Sequence, residues 1–347
     1  PGDVGQRTFR LTHRATTDIY TEVFVGSVDV YKRQVHVCHP LPSANDNASG
    51  SAVLLEIFRA IKGLIQQEKI PRPERTIRFL WVPEFHGTLP WIAEHEKKPN
   101  FKPICCINLD MVGEHPAIIG YPLTLWKQSV STPSLLGELI EEIMKQAMGD
   151  MQIMEEQGWQ FPGNYRIAPF AGGSDHILFT EEPFRIPSVM LGHEDQFRHT
   201  TYDTLDKVDS TRLKQTGLIA GLTALVFAYK SDFLDKMLSI YIKATHKKRG
   251  QVFGMIIDEL NKIERLQEKK KAIQTVILAH IIEKYAEMER VITDQLLNYP
   301  HIPQQEELIL AIADEITAFK QRGYQLIELL GVKVSNKDSL PEEFDYV

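Results

Sequence analysis

The chain has 347 residues, 43% of them hydrophobic, and a formal net charge of −7. That is ample apolar material for a core and more length than one typical domain needs, so a main domain with an accessory one is expected. The negative balance, with no basic cluster to override it, excludes nucleic acid as a partner. The longest apolar run, near Leu218–Tyr229, is too short to span a bilayer, which excludes a membrane role for it. Three cysteines, two of them adjacent, make no disulfide framework, and a reducing, cytoplasmic setting is the expectation.

In chain order, residues 1–34 carry little organised pattern beyond a strand at Tyr20–Val25. The chain begins at Pro1 without a leader-like stretch, and DVYKRQ (Asp29–Gln34) has the look of translated adapter sequence. Residues 1–34 are therefore read as an uncertain or non-native segment, with an ordinary basic loop as the alternative. Residues 35–232 form the main domain, read as truncated at its start. Its alternation predicts α/β: a mixed, mostly parallel central sheet flanked by helices. A strand ends at VHVCH, and a helix follows over Ser51–Ile65 with Val53, Leu54, Ile57, Ile61 and Leu64 at helical spacing. Strands are expected at Thr76–Val82, Ile104–Leu109 and Pro187–Leu191, and helices at Leu135–Ala147 and Leu213–Tyr229. Residues 233–347 read as a helical accessory domain, helical over Phe233–Tyr299 and again over Gln305–Leu330. Its apolar stripe suits internal packing, a homo-oligomer interface or a lid.

Chemistry-bearing residues gather at the predicted strand ends, where ligands sit in open α/β sheets. HVCHPLPSANDNASG (His36–Gly50) sets a histidine, then an aspartate in a small-residue loop, before the first helix. Glu84 follows in WVPEFHGT, Asp110 in CCINLDMVG, Asp175 in GGSDHILF and His199 in FRHTTYDTLD. Imidazole and carboxylate are common zinc ligands, and a carboxylate can bridge two divalent ions.

ANDNASG, NLDMVG, SDHILF and HTTYDTLDKVD, in this order, resemble the M28 family of zinc aminopeptidases over roughly residues 35–232. The HVCHP and PEFHGT variants look most like an aminopeptidase-like branch of it. The resemblance implies a zinc-exopeptidase-like fold, one or two Zn²⁺ ions, a peptide substrate and hydrolysis that releases N-terminal residues. A divalent ion brings water close to ionisation at neutral pH and polarises a carbonyl, which a peptide bond requires.

The resemblance assigns Asp46 as the bridging ligand, with Asp110 and His199 as further metal ligands. For the first histidine, His39 in the CHP form is favoured, and His36 is the alternative. Family members carry two adjacent glutamates where this chain has Glu84-Phe85-His86. Glu84 is read as the general base, leaving His86 or water to replace the missing ligand. Asp175 is counted with the catalytic residues as a hydrogen-bonding partner of them. Asp203 and Asp206 are expected to orient the His199 loop, His193 to lie at the surface, and Cys105 and Cys106 to be core. Two rivals stay open: a glutaminyl-cyclase-type acyltransferase on a related fold, and a non-catalytic binding scaffold.

Overall fold

The structure, a computed structural model, describes residues 7–10, 21–28, 42–98, 102–150, 153–154, 160–161, 164–229, 233–294, 305–329 and 331. The chain divides into two compact units, Pro1–Met237 and Leu238–Val347. The first begins β1 (Arg7–Arg10), β2 (Thr21–Val28), α1 (Gly50–Gln66), β3 (Thr76–Val82), α2 (Thr88–His95) and β4 (Lys102–Asp110). It continues α3 (Pro116–Ile119), β5 (Leu123–Trp126), α4 (Leu136–Asp150), β6 (Ile153–Met154), β7 (Gln160–Phe161) and β8 (Tyr165–Ala168). It ends with α5 (His176–Thr180), β9 (Ser188–Gly192) and α6 (Ser210–Ala228).

Seven strands form one sheet in the order β1-β3-β2-β4-β9-β5-β8, while β6 and β7 pair separately. Neighbours β2 and β3, β2 and β4, β4 and β9, and β5 and β8 run parallel. The β1–β3 and β5–β9 pairs are antiparallel. The sheet is thus mixed and mostly parallel, as the alternation of elements predicts. Four adjacent parallel strands, β3, β2, β4 and β9, end on the same edge, with Val28 opposite Val82 and Asp110 opposite Gly192. The described loops that follow β3, β4 and β9 start from that edge.

Helices cover both faces, which explains the unbroken apolar strands. The β3 run TIRFLWV is buried at all but Trp81. On one face, α1 buries Val53, Leu54, Ile57 and Ile61, and Phe58 meets Phe79 edge-on at 5.4 Å. On the other, Trp91 and Ile92 of α2 and Phe179 of α5 pack with Leu80, Val82 and Cys106. Cys105 and Cys106 are both buried, Cys106 in this core.

Strand β3 spans the residues its apolar run predicts, whereas α6 starts earlier than its periodicity suggests. Asp209 caps it, its Oδ1 accepting the Arg212 N–H at 2.6 Å, so three polar residues precede the apolar pattern. The described part of residues 233–299 is two helices, α7 (Phe233–Ile263) and α8 (Glu268–Asp294). Between them the Arg265 and Leu266 N–H groups bond the carbonyls of Lys262 and Ile263, the tighter three-residue spacing that closes a helix end. The reversal brings Ile256, Leu260 and Ile263 against Leu278, Ala279 and Ile282, with Phe319 and Ile327 of α9 (Gln305–Leu329) completing the cluster. Among the described residues no helix is long and apolar enough to cross a membrane.

One buried ion pair ties the three helices of the second unit. Arg249 Nη1 donates to Glu289 Oε2 at 3.0 Å, with side chains 6% and 1% exposed, and Arg249 Nη2 bonds Glu315. Removing one partner strands a buried charge, which costs about 3–5 kcal/mol. Arg249→Ala should therefore lower the denaturant midpoint of the full-length protein, and an unchanged midpoint would show that the pair contributes nothing.

Candidate functional site

The loop Ala44–Ser49 leads into α1 with an irregular backbone, Asp46 at φ −105°, ψ 88° and Asn47 at φ −135°, ψ 44°. A backbone without a ladder must satisfy its polar groups otherwise, and here side chains do so. Asn47 Oδ1 accepts the N–H of Gly50 at 3.0 Å and of Met111 at 3.2 Å, while its Nδ2 donates to Leu109 O at 2.9 Å. Asn45 Oδ1 accepts Gly113 N–H at 2.9 Å, and Ser49 Oγ accepts Val112 N–H at 3.0 Å. ANDNASG and NLDMVG are thus hydrogen-bonding partners of each other. Gly113 is required by closeness: a Cβ there would lie 2.9 Å from atoms of Ser49, Val208 and Leu213.

This clip places the buried carboxylate of Asp46 on the sheet edge. His199 Nε2 stands 3.2 Å from Asp46 Oδ2, on a side chain 48% exposed. Asp110 is buried at the end of β4. Asp175 stands just before α5 and accepts the Phe85 N–H on Oδ1 at 2.8 Å. Glu84, one residue earlier, is half-buried. His86 is exposed, its Nδ1 3.3 Å from the Glu84 carbonyl. His36 and His39 lie outside the described residues. Asp203 is buried and receives N–H groups from the Asp46 loop, whereas Asp206 is exposed and bonds Thr204 Oγ1 and Lys207 Nζ. Ser43, Phe85, Met111 and His199 all take positive φ without being glycine. Four such outliers on the loops of one sheet edge mark it as a place where the fold holds strained backbone, a frequent property of functional sites.

The structure thus brings Asp46 to His199, and Asp175 to the Glu84 loop. Among the described residues no three His, Cys, Asp or Glu side chains cluster as a metal site, and the candidate first histidines fall outside that set. What is present fits a divalent ion in kind. Buried carboxylates need compensation, and an imidazole nitrogen beside a carboxylate oxygen is a zinc-type donor pair.

The buried groups behind the edge titrate far from their ordinary values. Burial pushes Asp175 up to about 7; the Phe85 N–H opposes this, and repulsion from Glu84 and Asp110 adds to it. Glu114 rises to about 9, again mainly through burial, with the nearby Asp195 carboxylate adding to it. His193 is fully buried, contrary to its expected surface position. Its Nδ1 donates to Met111 O at 2.9 Å, which continues the β9 edge inward. Burial first, and then Arg212, lower its pKa to about 3. Burial also lowers Arg212 itself to about 10. Glu114 and Arg212 were missed in the sequence because no local pattern marks them.

The sequence model of peptidase family M28 matches residues 27–224. No curated protein matches the chain. Among solved structures, the chain is similar to the zinc aminopeptidase BSAP from Bacillus subtilis, at 20% identity and TM-score 0.49, covering 65% of this chain and 50% of that one. It is also similar to an aminopeptidase from Aneurinibacillus sp. strain AM-1, at 22% identity and TM-score 0.45, over 64% and 47%. A glutaminyl cyclase from Porphyromonas gingivalis aligns at 16% identity and TM-score 0.41, over 59% and 71%. The chain spans about half the length of the two aminopeptidases.

Glu114 gives a signed pH test. Its folded pKa of about 9 lies above the ordinary 4.5, so across that window the unfolded chain releases a proton that the folded one keeps. Stability is then lost as pH rises, by about 1.4 kcal/mol per unit. Glu114→Gln keeps the size and polarity of the side chain and removes the titration. The variant should match the wild type near pH 4 and become progressively more stable than it toward pH 9. A melting-temperature difference that is the same at pH 5 and pH 8 would rule this out.

Proposed function

We propose that this chain, which belongs to peptidase family M28, is a zinc-dependent aminopeptidase that releases N-terminal residues from peptides. The observation that carries the reading is the pairing of buried Asp46 with His199, 3.2 Å apart on the sheet edge that the parallel strands share. Asp46, Asp110 and His199 would hold one or two zinc ions, with His39 as the favoured further ligand and His36 as its alternative. When bound, zinc supplies Lewis acidity toward a carbonyl oxygen and toward water.

The chain's own residues supply the rest. Glu84 is the general base: its carboxylate takes a proton from water as the peptide carbonyl is attacked and returns it to the departing amine. Asp175 acts on Glu84 through the backbone, since its bond to the Phe85 N–H fixes the turn on which Glu84 stands. Gly87 permits that turn, because a Cβ there would come within 2.4 Å of the Pro83 ring. The carboxylates of this edge favour a cationic substrate amine, which suits a peptide with a free N-terminus. Residues 233–347 are read as an accessory helical domain, and a cytoplasmic setting is part of the same reading.

The test pairs zinc content per chain with turnover of peptides carrying a free, an acetylated or a glutaminyl N-terminus. Release of free amino acids from the peptides with a free amine, and not from the acetylated one, supports the reading. Cyclisation of the third would replace it with an acyltransferase, and a folded protein that takes up no zinc would leave a binding scaffold. Glu84→Gln should lower kcat by about 10²–10⁴-fold while zinc content stays unchanged.

A further inference from the structure

Asp203 lies four residues beyond His199, in a turn that holds its own shape. Thr200 Oγ1 donates to Phe197 O at 2.7 Å, Asp203 N to Thr200 O at 3.3 Å, and Thr204 N to Tyr202 O at 2.9 Å. Tyr202 is exposed, yet the next side chain turns inward and is buried. It meets three consecutive amides of the Asp46 loop. Ala44 N donates to the Asp203 carbonyl at 3.1 Å, Asn45 N to Oδ1 at 2.7 Å and Asp46 N to Oδ2 at 2.9 Å. Both carboxylate oxygens are used, each on a different residue of the loop. Charge-assisted bonds of this kind are short and about twice as strong as neutral ones.

The geometry has a direct consequence. His199 and Asp46 come from distant parts of the chain, and Asp203 is the residue that shares a turn with one and grips the backbone of the other. Asn45 adds a side-chain bond to Asp195 Oδ2 at 3.3 Å, on the same connecting segment after β9. The second acid of the turn, Asp206, is exposed and stays within its own loop, so the two acids expected to act alike do not.

We propose that Asp203 is a positioning residue whose carboxylate clamps the Asn45–Asp46 backbone to the His199 turn and so presents Asp46 and His199 as a preformed pair. Its consequence for metal rests on the zinc-peptidase reading; the clamp itself does not.

The experiment compares wild type, Asp203→Ala, Asp203→Asn and Asp206→Asn in full-length protein. Amide hydrogen exchange is read in the metal-free state, and zinc affinity by competition with a chromophoric chelator. Wild type and Asp206→Asn should protect the Asn45 and Asp46 amides and bind zinc equally. Asp203→Ala should lose that protection selectively, with β4 and β9 amides unchanged, and bind zinc about 10–100-fold more weakly. Asp203→Asn, which keeps one acceptor oxygen, should fall between them, and it decides the matter if the alanine variant does not fold. Retained protection at both amides in the Asp203 variants would overturn the clamp. Lost protection with zinc affinity equal to that of Asp206→Asn would overturn its positioning role. If wild type binds no zinc, the peptidase reading fails, and the selective loss or retention of protection still decides the clamp.

Discussion

The site depends on side chains doing the work of secondary structure where secondary structure stops. Beyond the ends of parallel strands no ladder continues, yet residues 45–47 and 109–113 are buried and their amides must be met. Asn45, Asn47 and Ser49 meet those of 111–113, and Asp203 meets those of 45 and 46. Each bond spans segments far apart in sequence, so the edge exists only once the sheet has assembled β4 beside β9 and set α1 beneath the loop. The ligand candidates are then by-products of a backbone solution: Asp46 and Asp110 are carried to their places by neighbours that themselves need not touch a metal.

That division explains why the motifs were readable and much of their surroundings was not. Regular elements announce themselves by period. Thr76–Val82 is unbroken apolar sequence because both faces of the sheet are covered, and α1 shows its stripe because Leu55 faces solvent while Leu54 does not. β5 and β8 are four residues each, too short for a pattern to rise above chance. The break between α7 and α8 falls at Glu264–Gln267, which holds neither glycine nor proline; it is set by tertiary packing of the two apolar faces. The small polar residues of ANDNASG were legible as a loop, but their targets were not, since hydrogen-bonding partners of Asn45 and Asn47 lie more than sixty residues away. His193 was misplaced for a related reason: its acidic followers Glu194 and Asp195 suggest surface, while the inward run of β9 decides its burial.

The formal charge of the chain is likewise a poor guide to the charge at this edge. Glu114 is an acid, but with its pKa raised to about 9 it is protonated and uncharged at neutral pH. His193, held near 3, adds none. Their linkages run in opposite directions. His193 loses stability as pH falls below its ordinary 6.5, because the unfolded chain gains a proton that the folded one refuses. Glu114 loses it as pH rises above 4.5. Between those values the two slopes offset each other, so the polar wall is least costly in mildly acidic solution and charges itself against the fold on either side. Arg212, buried and itself lowered to about 10, is the cation that acts on both. Asp203 is among the charges that reach Glu114, so a fold that keeps this acid protonated limits the repulsion that the clamp on the Asp46 loop would otherwise meet.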